Sequence, residues 1–171
     1  MPVQSKPSKF DLKWAGPGDY DALGQLMYAA VRHGPSRYSE DQRRAWVPAP
    51  RSGDDWHRRL ANQAIIIAER DGIYAGFMSL EPGGEGRGYL DFAYIRPAYQ
   101  GTGLFRRLYA RIEEKARETG LTRIDVHASL MAQPAFSAVG FEIVQPEQVR
   151  IGDQVFDRFA MEKRLDAGED A

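Results

Sequence analysis

The stretch Tyr94-Ile95-Arg96-Pro97-Ala98-Tyr99-Gln100-Gly101-Thr102-Gly103-Leu104-Phe105 decides how this chain is read. Upstream of it, Tyr89 to Ile95 is a run with almost no surface-like alternation, the pattern of a central strand covered on both faces. Downstream, Gly103 to Thr119 carries Phe105, Leu108, Tyr109, Ile112 and Ala116 at helical spacing, with Gly120 where a C-terminal cap belongs. A glycine-rich turn therefore joins a buried strand to the N-terminus of a helix. Consecutive backbone N–H groups in such a turn converge on one spot, and the helix dipole adds partial positive charge there. An oxygen-rich anion such as a pyrophosphate suits that spot, and Gly101 and Gly103 permit unusual dihedrals and close approach. A Walker loop would end in Gly-Lys-Ser/Thr, and a Rossmann fingerprint would need a third glycine and an early parallel unit; neither is here. The same turn also serves as a bare strand-to-helix connection, so alone it does not decide a function.

Working outward, Phe10, Leu12 and Trp14 alternate with polar residues and predict a first strand. Pro17-Gly18 ends it, and Asp19 is placed to cap a helix bearing Leu23, Leu26, Met27, Ala30 and Val31, which stops at His33-Gly34-Pro35. Ser39 caps a second short helix that must end before Pro48, and Ser52 with Asp55 resembles a capping box for a third through Trp56 and Leu60. Ala64 to Glu69 and Ile73 to Leu80 form a hairpin across Asp71-Gly72. After the central helix come a strand from Arg123 to Ala128, a short helix from Pro134 to Val139, and strands from Phe141 to Val144 and Gln154 to Lys163. This order predicts the α/β (α+β) class: a mixed central sheet of about seven strands flanked by helices on both faces. One domain spans residues 1–171, with 1–8 and 166–171 expected to be loose.

Composition narrows the function classes. Lys and Arg number 23 against 24 Asp and Glu, a net charge of -1, so bulk electrostatics do not point to nucleic acid or an anionic membrane. The chain has no cysteine, which removes disulfides, thiolate zinc sites and a cysteine nucleophile; no metal is expected. No apolar run suits a signal peptide or a bilayer span, and a cytoplasmic protein is the expectation.

With its surroundings, the central stretch resembles the acetyl-CoA motif of the GCN5-related N-acetyltransferase (GNAT) superfamily, Gln/Arg-x-x-Gly-x-Gly/Ala after a strand ending in apolar-x-Pro. Ile95-Arg96-Pro97, Gln100 and Gly103 fit, while Phe105 stands where the family has a small residue. Pro134-Ala135-Phe136-Ser137-Ala138-Val139-Gly140-Phe141 resembles the family's later signature, a short helix running into Gly-Phe. The resemblance covers roughly Phe10 to Leu165. It implies the acyl-CoA N-acyltransferase fold, acetyl-CoA as cosubstrate and direct transfer to a primary amine in a ternary complex. It further implies that backbone groups near Tyr94 and Ile95 pair with the pantetheine arm. The N–H groups of Gly101, Thr102, Gly103, Leu104, Phe105 and Arg106 then take the pyrophosphate, with Arg106 and Arg107 adding charge or remaining solvated helix residues.

The chemistry leaves two roles to fill. An alkyl amine with a pKa of about 10.4 must lose a proton before attack, and an acid can protonate the departing thiolate. Many relatives use a tyrosine as that acid; the matching position is Phe136, which has no proton and is expected to pack against the cofactor arm. Ser129 and His127, at the end of the fifth strand, are the neighbouring alternatives, His127 equally as a structural residue. Asp91 is the best-placed carboxylate for the base, sharing a face with Ala93 and Ile95 by strand alternation. An ion pair with a neighbouring element is its other reading. Tyr28, Arg32, Tyr38, Trp46 and Trp56 supply acceptor contacts or core. The amine acceptor is left open, a homodimer is compatible with this reading, and a catalytically silent acyl-CoA sensor is the alternative function.

Overall fold

The structure is a computed structural model and describes residues 9–165, so the expected loose ends lie outside the described residues. The elements are β1 (Asp11–Trp14), α1 (Tyr20–His33), α2 (Glu40–Trp46), α3 (Gly53–Ala61), β2 (Ala64–Arg70), β3 (Ile73–Pro82), β4 (Arg87–Ile95), α4 (Leu104–Glu118), β5 (Arg123–Ser129), α5 (Gln133–Ala138), β6 (Glu142–Ile151) and β7 (Gln154–Arg164). They form one seven-stranded sheet in the order β1-β2-β3-β4-β5-β7-β6, in which only β4 and β5 run parallel. The mixed sheet read from the sequence is the sheet observed.

Each face of the sheet has its own core. Leu104, Leu108, Tyr109, Ile112 and Ala116 of α4, together with Phe136, pack on one side against Ile66, Met78, Leu90 and Val126. Leu23, Leu26, Met27 and Val31 of α1, with Trp56 and Leu60 of α3, pack on the other against Ile65, Ile67, Phe77 and Phe92. Fully buried aliphatic and aromatic side chains of this kind contribute about 1.5–3 kcal/mol each.

Local signals held in most places. The Asp71-Gly72 turn has positive φ at both residues, as a two-residue hairpin demands. Ser39 accepts from the Gln42 N–H while the Gln42 amide oxygen accepts from Ser39, a complete capping box. Ser52 precedes α3 without making a cap hydrogen bond. Asp19 lies in a short 3₁₀ turn ahead of α1; its carboxylate accepts instead from the Gly16 N–H and the Tyr74 hydroxyl. The sequence stops the sixth strand at Val144, whereas β6 runs on to Ile151 through Pro146. An edge strand tolerates a residue without an N–H on its open side, and β6 is the edge.

One irregularity places the site. Along β3 and β4, Ser79 pairs with Phe92 and the next residue, Leu80, pairs with Leu90, so Asp91 is the extra residue of a β-bulge. The Ser79 hydroxyl, fully buried, accepts the Phe92 N–H at 3.0 Å and holds the bulge. Beyond it the parallel pairing of β4 with β5, which starts at Arg87/Arg123, stops at Leu90/Val126. The rest of both strands splay apart.

Candidate active site

The gap between the splayed strands opens into a cavity of about 490 Å³. Its walls come from the end of β4 (Ala93, Tyr94, Ile95), the glycine turn, α5 (Ala135, Ala138) and the end of α1. On one edge β4 is paired with β3 through Gly76/Ile95 and Phe77/Tyr94; on the other its backbone faces the gap. Backbone groups left without a strand partner call for another one.

At one end of the cavity lies the turn. Gly101 and Gly103 have φ of 75° and 82°, and a Cβ at either would meet nothing within 4 Å. Backbone conformation, then, and not crowding, asks for glycine at both. Among the described residues, none of the N–H groups from Gly101 to Arg106 has a hydrogen-bond acceptor; the first bond of α4 is Arg107 N–H to Gly103 O at 3.4 Å. Five residues of the turn and helix start, Gly101, Gly103, Leu104, Phe105 and Arg106, line the cavity. Gln100 lines it too and braces the turn by donating to Ile95 O at 3.2 Å. The donors and the space fit a pyrophosphate. Thr102 is turned away, its hydroxyl donating to Tyr99 O at 2.6 Å. Arg106 lines the cavity and donates to Ala138 O at 3.3 Å, whereas Arg107 reaches back to Phe10 O, away from the turn.

A second, smaller cavity of about 180 Å³ lies on the other side of the β4 end. Trp46, Tyr94 and Ser129 line both cavities and form the wall where they meet. The Ser129 hydroxyl accepts from the Ala132 N–H at 3.1 Å, which leaves its own proton free for the junction. The Tyr94 hydroxyl has no hydrogen-bond partner among the described residues, and burial pushes its pKa upward, so it keeps its proton. The sequence reading used Tyr94 for its backbone alone; the ring is a wall of both cavities.

Two expectations change. Asp91 does not share a face with Ala93 and Ile95: the bulge resets the alternation, and Asp91 lines the smaller cavity while they line the larger. Its carboxylate is 6% exposed and accepts from Arg59 at 2.8 and 3.0 Å and from Gln63 at 2.7 Å. This is the ion pair that was its other reading. Phe136, expected against the cofactor arm, lines neither cavity; it is 1% exposed and packs edge-on against Phe105 and Phe141, with centroids at 5.0 and 5.2 Å. The bulk that Phe105 brings in place of a small residue is matched by Phe136 beside it.

Of the aromatic and cationic residues proposed for the acceptor, Tyr38 and Trp46 line the smaller cavity. Tyr38 also ties the residue after β5 to β7, its hydroxyl donating to Asp157 O at 2.5 Å and accepting from Leu130 N–H. Trp56 is buried with its indole N–H on Tyr20 O, Arg32 holds the carbonyls of Val47 and Pro48, and Tyr28 lies beneath Arg32. His127 lines the smaller cavity, paired at 2.8 Å with Glu147, which also takes Arg158 at 3.2 Å. Burial pushes Glu147 upward, but the bonds from His127, Gln145 and Arg158 outweigh it and leave its pKa below the usual range. Tyr89 beside them is pushed up to about 12 by burial and by Asp91. Arg51, Val149, Ile151, Phe156 and Arg158 complete this wall and were not singled out from the sequence.

Among the described residues, no helix is long and apolar enough to cross a membrane, and no group of three or more His, Asp or Glu is disposed to hold a metal. A family model described as an acetyltransferase (GNAT) domain matches residues 36–165. The chain is 27% identical over 121 residues to the L-methionine sulfoximine/L-methionine sulfone acetyltransferase of Salmonella typhimurium, covering 64% of each. A solved GCN5-related N-acetyltransferase from Rhodopseudomonas palustris superposes with a TM-score of 0.80 at 26% identity, over 95% of this chain and 99% of that one. YncA of Salmonella typhimurium, solved with acetyl-CoA, shares the fold at a TM-score of 0.66 and 22% identity, over 96% and 98% of the two chains.

Proposed function

Because the chain belongs to the GNAT acetyltransferase family, we propose that it moves the acetyl group of acetyl-CoA to a primary amine by direct attack, both substrates being held at once. The observation that carries this reading is the pair of cavities meeting at Trp46, Tyr94 and Ser129, one long and ending on free backbone N–H groups, the other small. The long one accommodates the cosubstrate, whose thioester supplies the activated acetyl group. In YncA the solved complex contains acetyl-CoA, and the shared fold supports the same use of the splay here.

The residues divide the work. The N–H groups from Gly101 to Arg106 hold the pyrophosphate, and the open edge of β4 at Tyr94 and Ile95 hydrogen-bonds the pantetheine arm as a strand neighbour would. Backbone N–H of the same edge stabilises negative charge on the carbonyl oxygen during attack. Three donors occupy three of the roughly four acceptor positions on the Asp91 carboxylate. A water hydrogen-bonded at the remaining position relays the amine's proton to the Asp91 carboxylate. Ser129, with its hydrogen unassigned to any partner, donates a hydrogen bond to the leaving sulfur, and the thiolate takes its proton from solvent; a thiol pKa of about 8.5 keeps that demand modest. The 180 Å³ of the second cavity favours a small acceptor over a protein segment, as does the Salmonella relative, named for an amino-acid derivative.

A thiol-release assay over amino acids, polyamines, aminoglycosides and peptides tests the proposal, with acetylated product confirmed by mass. Release above the acetyl-CoA blank with one acceptor class is expected. Acetyl-CoA binding with no release for any amine would turn the reading toward a silent acyl-CoA sensor.

A further inference from the structure

Among the described residues, one charge in the smaller cavity has no partner. Arg59 is spent on Asp91, and Arg158 and His127 are spent on Glu147. Arg51 lines the same cavity half-buried, with no hydrogen bond or ion pair among the described residues. Asp91, the carboxylate that acts on it among the described residues, already accepts from Arg59 twice and from Gln63. A guanidinium drawn out of water without a partner is unfavourable, and its fork of N–H donors matches a carboxylate in two-point contact. Burial and the neighbouring Arg59 charge both push Arg51 downward, the direction of a cation lacking its anion.

The position of Arg51 is built. It follows Pro48-Ala49-Pro50, a segment with restricted backbone freedom. Its carbonyl sits against Gly24 of α1, where even a Cβ would approach to 1.9 Å, so α1 and this loop fix one another. The guanidinium lies 5.9 Å from the Trp56 ring, which is itself locked by its bond to Tyr20 O. Arg32 holds the start of the loop through Val47 O and Pro48 O. The rest of the cavity includes Met27, Val149, Ile151 and Phe156, all apolar.

We propose that Arg51 binds a carboxylate of the acceptor, and hence that the acceptor is a small amino carboxylic acid with an apolar side chain. The amine lies at the Trp46–Tyr94–Ser129 junction, the carboxylate on Arg51, and the side chain against Met27 and the β6–β7 wall. This rests on the acetyltransferase reading above, and it adds the feature by which acceptors are chosen.

The test compares, on the full chain, apolar amino acids with their amides, with the amines lacking the carboxylate, and with the matching aminophosphonates. For wild type, kcat/KM for the carboxylates exceeds that for amides and simple amines by about 100-fold or more. Arg51→Met raises KM for the carboxylates by at least about thirtyfold, with little change in kcat and none in acetyl-CoA affinity, and leaves the amides where they were; Arg51→Lys recovers part of the loss. Equal kcat/KM for acids and amides, preference for the phosphonates, or an equal loss on all acceptors in Arg51→Met would overturn the assignment. Should no amine release thiol, calorimetry with the CoA-bound protein decides independently. Amino acids that bind wild type at least tenfold more tightly than Arg51→Met uphold the carboxylate site while the transfer reading falls. Equal affinities, or no binding to either, end both.

Discussion

The two cavities that meet at Trp46, Tyr94 and Ser129 are made differently. The larger one draws its free N–H donors from the main chain of a single continuous segment, Gly101 to Arg106. The smaller one draws its polar groups from side chains on α3, the loop before it, β4, β5 and β7. Main-chain donors are positioned by φ and ψ, and a run of residue types betrays those angles. Side-chain donors are positioned by tertiary packing, and residues as far apart as Arg51 and Arg158 have no adjacency in the sequence to announce them.

The contrast breaks most sharply at Gly103. A β-branched residue there is forced into a left-handed φ of 82° that costs about 1–3 kcal/mol or is relieved by turning the N–H groups away. Gly103→Val should lose about 100-fold in CoA affinity by calorimetry, with circular dichroism unchanged; Thr102→Ala, which removes only a side chain turned away from the cavity, should lose less than about threefold. Equal losses would mean that the larger site is not a main-chain site.

Asp91→Asn probes the opposite case, a site that lives in side chains. It should lower kcat about 100-fold and leave acetyl-CoA affinity unchanged. A fall of less than a few-fold, with lowered thermal stability, would make Asp91 a structural partner of Arg59 alone.

The border between the two regions is tested at Phe136. Its ring is enclosed by Phe105 and Phe141, so a hydroxyl added there is buried without a partner. Phe136→Tyr should cost about 2 kcal/mol in denaturant unfolding without raising turnover. A clear rise in kcat at unchanged stability would show that the ring faces the cofactor after all.

The smallest effect belongs to the acceptor wall. The depressed pKa of Glu147 means that its bonds to His127 and Arg158 stabilise the fold fully above the ordinary carboxylate value of about 4.3, and that this contribution fades as pH falls below it toward the lower folded value. Partly exposed pairs of this kind give under about 1 kcal/mol. Glu147→Gln should therefore narrow the stability gap between pH 6 and pH 3 by no more than about that amount in urea titrations.

The same division explains what the sequence disclosed. The succession of strands and helices along the chain, both helix layers, the Asp71-Gly72 hairpin and the turn from Gln100 to Leu104 were legible, because each rests on local periodicity or on glycine placement. Asp91 was misplaced because alternation assumes a regular strand, and no residue type marks a bulge; a serine on the facing strand, Ser79, is its only trace. Phe136 was misplaced because a motif fixes position along a helix and not what neighbouring residues do to the space around it. Its replacement of the usual tyrosine and the Phe105 replacement of a small residue make sense as one change, since the two rings touch. Arg51 was invisible because what distinguishes it is the absence of a partner among the described residues, which only the folded chain reveals.

The bulge at Asp91 has a consequence in arithmetic. Leu90, Ala93 and Ile95 pack toward one core while Phe92 and Tyr94 pack toward the other, an order that two-by-two counting cannot produce without one surplus residue. That surplus sets the parity of everything after it, including which cavity Tyr94 and Ile95 face. Between Gly88 and Ile95 the chain is therefore forgiving of spelling and intolerant of length: conservative exchanges leave the count alone, whereas a single residue gained or lost exchanges the two faces at once.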